Sequence, residues 1–148
     1  STGLIWQGQT PAGTGLRAND RMFSNYDSTT GNQNYNGGSH IPATQSQIDA
    51  STNSIGFKNA VNASNLCGSS AWRMPTTAEL QGLIKTTETP MIDNAWFPNT
   101  VTSPSNSWYR SSTPYPGTSY STQCINFVNN NNSGCLRSEV IGLIRLVR

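Results

Sequence analysis

Hydrophobic residues in this chain gather in a few short periodic segments separated by long polar ones. The opening TGLIWQ alternates, with Leu4 and Trp6 on one face, and predicts a short strand. From about Thr10 to Gln47 no period is visible. That stretch includes GNQNYNGGSHIP and reads as a long loop, with one short strand around Arg21 to Tyr26. A loop of that length inside a compact domain usually has a function or is partly mobile. From Asn53 the pattern changes. Ile55, Lys58, Val61 and Asn65 are helix-spaced, as are Phe57, Ala60, Val61 and Leu66. They predict an amphipathic helix ending near Cys67, with Gly68 as its left-handed cap.

The string SAWRMPTTAEL follows. Pro75 pushes Met74 to an extended conformation. Thr76 and Glu79 have the spacing of a capping box, in which the hydroxyl accepts from the Glu79 N–H and the carboxylate accepts from the Thr76 N–H. Leu80, Leu83 and Ile84 form the apolar stripe of a second helix, which stops near Lys85 to Thr87. Beyond Pro90 the chain turns to short strands. CINFV places Ile125 and Phe127 on one face, NNNNSG reads as a turn, and CLRSEV reads as the return strand. GLIRLVR is apolar on both faces, as a central strand is. A strand, two helices and then several antiparallel strands give an α+β class.

Composition narrows the setting. The 148 residues suit one domain with a real core. Only 11% are charged, and the abundance of Asn, Ser, Thr and Gly suggests a secreted, loop-rich domain with a polar rather than ionic surface. A net charge of +2 is too small to point to nucleic acid. No apolar run is long enough to insert in a membrane. The first residue is Ser1, so a mature fragment or an excised domain is expected. Of the three cysteines, Cys124 and Cys135 bracket a turn-rich stretch, and a disulfide between them is the first choice. Cys67 is then free or paired between chains. Three reduced thiols are the alternative.

Several of these segments occur together elsewhere. TGLIWQ, NLCGSSAWRMPTTAEL, WFPNT, WYRSSTPY and the terminal IRLVR stand in the order found in one bacterial domain family. It is named for the C-terminal domain of the collagen-like adhesin of Legionella, and the chain resembles it along nearly its whole length. The resemblance implies a variant of the C-type lectin fold, with two helices flanking a small twisted antiparallel sheet and long loops. It implies display on the bacterial surface as the C-terminal part of a longer protein. It also implies a homotrimer that binds sulfated glycosaminoglycan on host cells or matrix. Three departures stand out. Ser70-Ala71 precedes Trp72 where Asn-Asp is common, and Arg110 stands where Trp is common. A cysteine usually found in the loop around His40 is missing, which removes the usual partner of Cys67 and favours the Cys124–Cys135 pairing.

Candidate chemistry is sparse. Trp72 is expected in the core, with Arg73 bonding carbonyls or a carboxylate and Thr76 and Glu79 acting as caps. A ligand role for Arg73 is the lesser alternative. His40 is the one histidine, has no nucleophile motif beside it and reads as a solvated loop residue. The seven acids supply no evident catalytic pair, so no enzyme is expected. No zinc, calcium or other cofactor is expected either. Binding remains. Arg110, Arg137, Arg145 and Arg148 lie in the last forty residues against one acid, Glu139. Arg110 and Arg137, with Tyr115 and Tyr120 for stacking and Asn130 at a turn tip, are the expected surface for a sulfated polysaccharide. For Arg145, inside an apolar strand, a structural ion pair is expected. The alternatives are a pilus-tip adhesin for a protein or neutral glycan, and a structural trimerisation cap.

Overall fold

The computed structural model of the chain describes residues 3–28, 31–103 and 107–148. Its ordered elements are β1 (Asn34–Tyr35), β2 (His40–Ile41), α1 (Gln45–Asp49), α2 (Ser54–Ala63), a 3-10 turn (Leu66–Gly68), α3 (Thr77–Gln81), β3 (Trp108–Pro114), β4 (Ser121–Asn126) and β5 (Asn131–Leu136). Helices and antiparallel sheets in one chain bear out the α+β reading. β1 and β2 form a hairpin, and β3, β4 and β5 form an antiparallel sheet in that order.

The C-terminal segment is the hub. Residues 142–147 are buried throughout. They bond to separate parts of the chain through single bridges: Gly142 to Phe23, Leu143 to Tyr109, and Val147 to both Trp6 and Arg73. The Gln7 N–H donates to the Leu146 carbonyl at 2.9 Å, and the Arg110 N–H donates to the Leu143 carbonyl at 2.9 Å. The segment therefore has the central position its sequence predicts, without a long ladder. Alternation along it feeds two cores. Ile144 and Leu146 join Phe23, Phe57, Val61, Trp72 and Met74. Leu143 joins Leu80, Ile92, Tyr109, Ile125 and Phe127.

The two expected helices are present but shorter. α2 ends at Ala63 because Asn65 takes a left-handed conformation, φ 50°, ahead of the predicted glycine cap. α3 runs only to Gln81. Its capping box is formed as expected: the Thr76 hydroxyl accepts from the Glu79 N–H at 3.2 Å, and Glu79 Oε2 accepts from the Thr76 N–H at 2.7 Å. Arg73 holds the same carboxylate, with Nη2 2.6 Å from Oε1, and this pulls the Glu79 pKa down to about 2. Thr76→Ala is expected to cost about 1 kcal/mol, measured as a shift in the denaturation midpoint, with ligand binding unchanged. The return strand begins at Asn131, earlier than the CLRSEV reading, because the turn is made by residues 127–130.

Amides do much of the internal bonding. Asn53 is fully buried: its Oδ1 accepts from the Tyr26 N–H and the Ser24 hydroxyl, and its Nδ2 donates to the carbonyls of Tyr26 and Ile48. A chain with little regular structure leaves many backbone groups without a ladder partner, and buried side chains supply the missing bonds. The Asn and Gln content is therefore not only surface. Cys124 and Cys135 form a disulfide between β4 and β5, and Cys67 is free and exposed.

Candidate ligand-binding site

The expected basic surface is not on the outside of the molecule. Arg110 is 0% exposed and Arg137 is 1% exposed. Gly142 makes room for Arg110: a Cβ there would lie 2.2 Å from Arg110 Nε. Arg110 Nε donates to the Phe23 carbonyl at 2.8 Å and Nη2 to the Glu139 carbonyl at 2.5 Å. Burial holds its pKa down to about 10, with the nearby Arg137 charge lowering it further and Glu139 opposing the shift. Arg137 Nη1 donates to the Asn25 carbonyl at 2.8 Å and to Asp27 Oδ2 at 2.7 Å. Both arginines tie loops to the sheet. Neither can meet a polysaccharide without local opening, because both side chains are buried.

Arg145 is also buried, and its partners are neutral. Nη2 donates to Gln9 Oε1 at 2.7 Å and to the Thr100 hydroxyl at 3.1 Å, and the guanidinium lies 4.6 Å from the Phe97 ring centre. The expected ion pair is replaced by amide, hydroxyl and ring partners, and burial lowers its pKa. Arg73 and Lys85 reach solvent in ion pairs, Arg73 with Glu79 and Lys85 with Glu88 and Asp93.

An aromatic cleft lies where the β1–β2 hairpin meets the end of β5. Its walls are Tyr35, His40, Tyr120, Leu136, Ser138 and Glu139, around a volume of about 360 Å³. The register of the hairpin sets Tyr35 opposite His40. The His40 and Tyr120 rings stack at 3.8 Å with 5° between planes, and Tyr35 leans on His40 at 5.3 Å. Tyr35 is 54% exposed, so a ring surface faces solvent. The Arg137 N–H donates to the Tyr120 carbonyl at 2.9 Å, and the Arg110 bond to the Glu139 carbonyl fixes the opposite wall. The two arginines thus shape the cleft from behind.

The remaining expected residues lie apart. Tyr115 lines a second hollow with Pro116, Gln123 and Asn132, its ring over Gly134. Tyr115 and Tyr120 therefore do not share one cavity. Asn130 is exposed at the turn with φ 57° and lines neither hollow. Trp72 is buried, as expected. His40, read as a solvated loop residue, is half-buried, and its Nδ1 is buried without a partner. Tyr35 and His40 had a legible signal: Asn36-Gly37-Gly38 between them is a hairpin-turn sequence. Among the described residues, no three of His, Cys, Asp and Glu come together to hold a metal ion. No described helix is long and apolar enough to cross a membrane.

Comparison with known proteins agrees with the sequence resemblance. The family model of the Lcl C-terminal domain matches residues 1–148, the whole chain, and the chain belongs to that family. No curated protein and no solved structure matches it.

Proposed function

We propose that this Lcl C-terminal domain is an adhesin-type binding module that reads a glycan in the Tyr35–His40–Tyr120 cleft. The observation that carries the proposal is the stacked pair of His40 and Tyr120, with Tyr35 exposed beside it. Aromatic rings offer apolar faces that match the C–H faces of sugars, while hydroxyl tips accept and donate hydrogen bonds. A concave, mostly apolar cleft with a few polar groups is the usual form of a small-ligand site. Ser138 and Glu139 are those polar groups. The module works by binding rather than catalysis, outside the cell, where a disulfide persists. Short helices and antiparallel sheets joined by long loops support a C-type-lectin-like fold. A homotrimer would repeat the cleft, and linked sites raise avidity by roughly 10²–10⁴.

Tyr35→Ala and Tyr120→Ala are each expected to weaken binding to the preferred oligosaccharide of a glycan panel about tenfold, as loss of a central aromatic anchor does. Melting temperature should stay near that of the parent for Tyr35→Ala. Full binding by both variants would remove the cleft as the site.

Sulfated polysaccharide is the second reading, and it requires a different surface. The Arg21 guanidinium lies over the Phe57 ring, Lys58 is the next residue on α2, and Arg148 lies over Trp72 in the same core cluster. These cations belong to no ion pair among the described residues. Exposed ionic contacts are worth only about 0–1 kcal/mol each and weaken with salt. Heparin retention that falls with salt and is lost in an Arg21→Ala/Arg148→Ala variant would favour this reading over the cleft.

A further inference from the structure

The charge order around the cleft narrows the class of sugar. Four charged groups meet here: Arg110, Arg137, Asp27 and Glu139. Both guanidinium groups are buried, and Arg137 is matched directly by Asp27. Arg110 meets Glu139 at its main-chain carbonyl and not at its carboxylate, which is left outside. Glu139 is exposed, lines the cleft and belongs to no ion pair among the described residues. The cluster is neutral in sum but layered, with cations inside and the anion at the surface. A ligand entering from solvent meets the carboxylate and the ring walls first. Coulomb attraction falls with separation, so the carboxylate in contact with the ligand outweighs the two cations set back behind the cleft walls.

Such a lining disfavours sulfate and suits a positive group. Carboxylates pair with ammonium groups, and electron-rich ring faces attract cations. Ser138, on the same wall, adds a hydroxyl. We propose that the cleft takes a sugar bearing a free amine, a hexosamine unit whose ammonium group pairs with Glu139 while the ring packs on Tyr35 or Tyr120. This rests on the glycan reading of the cleft and goes beyond it in naming the sugar's charge.

The probes are a β-1,4-linked glucosamine oligomer and its fully N-acetylated counterpart of equal length, titrated into the whole chain by calorimetry at one mildly acidic pH. Acetylation removes the charge and leaves the rest of the ring in place. The free-amine oligomer is expected to bind about threefold to tenfold more tightly. Glu139→Gln should erase that preference, and Glu139→Asp should retain part of it. All comparisons are made at the same pH. An acetylated oligomer that binds equally or better overturns the amino-sugar inference, as does a preference unchanged in Glu139→Gln. In either case the glycan reading stands, because a sugar still binds. If neither oligomer binds, the inference fails, and a panel of neutral glycans with Tyr35→Ala then decides the glycan reading separately. Unchanged melting of Glu139→Gln confirms that the comparison is between folded proteins.

Discussion

Arg137→Ala is expected to destabilise the domain by about 3–5 kcal/mol, since it removes a large buried side chain that is hydrogen-bonded to the partly exposed Asp27 carboxylate. The substitution removes one donor from the Asp27 carboxylate and one from the Asn25 carbonyl, and opens a void behind the cleft. For a domain of this size the melting temperature should fall by roughly 10 °C. Arg137→Lys should recover part of the loss, since the ammonium can reach one partner but not both in the same geometry. Thermal unfolding followed by near-UV circular dichroism reads both variants. A surface arginine would behave differently: Arg137→Ala with the parent's melting temperature and impaired ligand binding would contradict its interior role.

Trp72→Ala should be as damaging, at about 3–5 kcal/mol, through lost burial and the cavity left behind. Its indole is buried among Phe23, Phe57, Val61 and Met74, and Nε1 donates to the Leu66 carbonyl at 3.0 Å. Its backbone is held too, since Asn62 accepts from the Trp72 N–H at 2.9 Å and donates to its carbonyl at 3.0 Å. Arg148 loses its ring partner at the same time. Chemical denaturation gives the size of the effect. An unchanged midpoint would mean that the indole contributes no packing and that the WRMPT string has another purpose.

The string around Trp72 was legible because its signals are local. A capping box needs four residues, and Pro75 acts on its neighbour, so both follow from spacing alone. The Cys124–Cys135 bridge was legible for a similar reason, as both ends sit on adjacent strands of one turn. The arginines were not legible. Their charge reads as surface, and their burial depends on partners far away in sequence, such as Asn25 and Asp27 for Arg137. Gly142, which admits Arg110, carries no mark of that role in the sequence. The cleft lies between these extremes. Tyr120 is the residue type that stacks, but its partner His40 belongs to a hairpin whose Asn-Gly-Gly turn sits in a long stretch without periodicity. Two-residue strands show no alternation, so only the turn chemistry could have revealed β1 and β2.

Aromatic ¹H–¹³C spectra recorded during titration with the best-binding oligosaccharide give the most direct test of where the ligand sits. Resonances of Tyr35, His40 and Tyr120 should move together and saturate at one midpoint, while the ring of the buried Tyr109 stays still. Saturable shifts at Trp72 and Phe57, beneath Arg148 and Arg21, with Tyr35, His40 and Tyr120 unmoved, would place the ligand on the cationic face and contradict binding in the cleft.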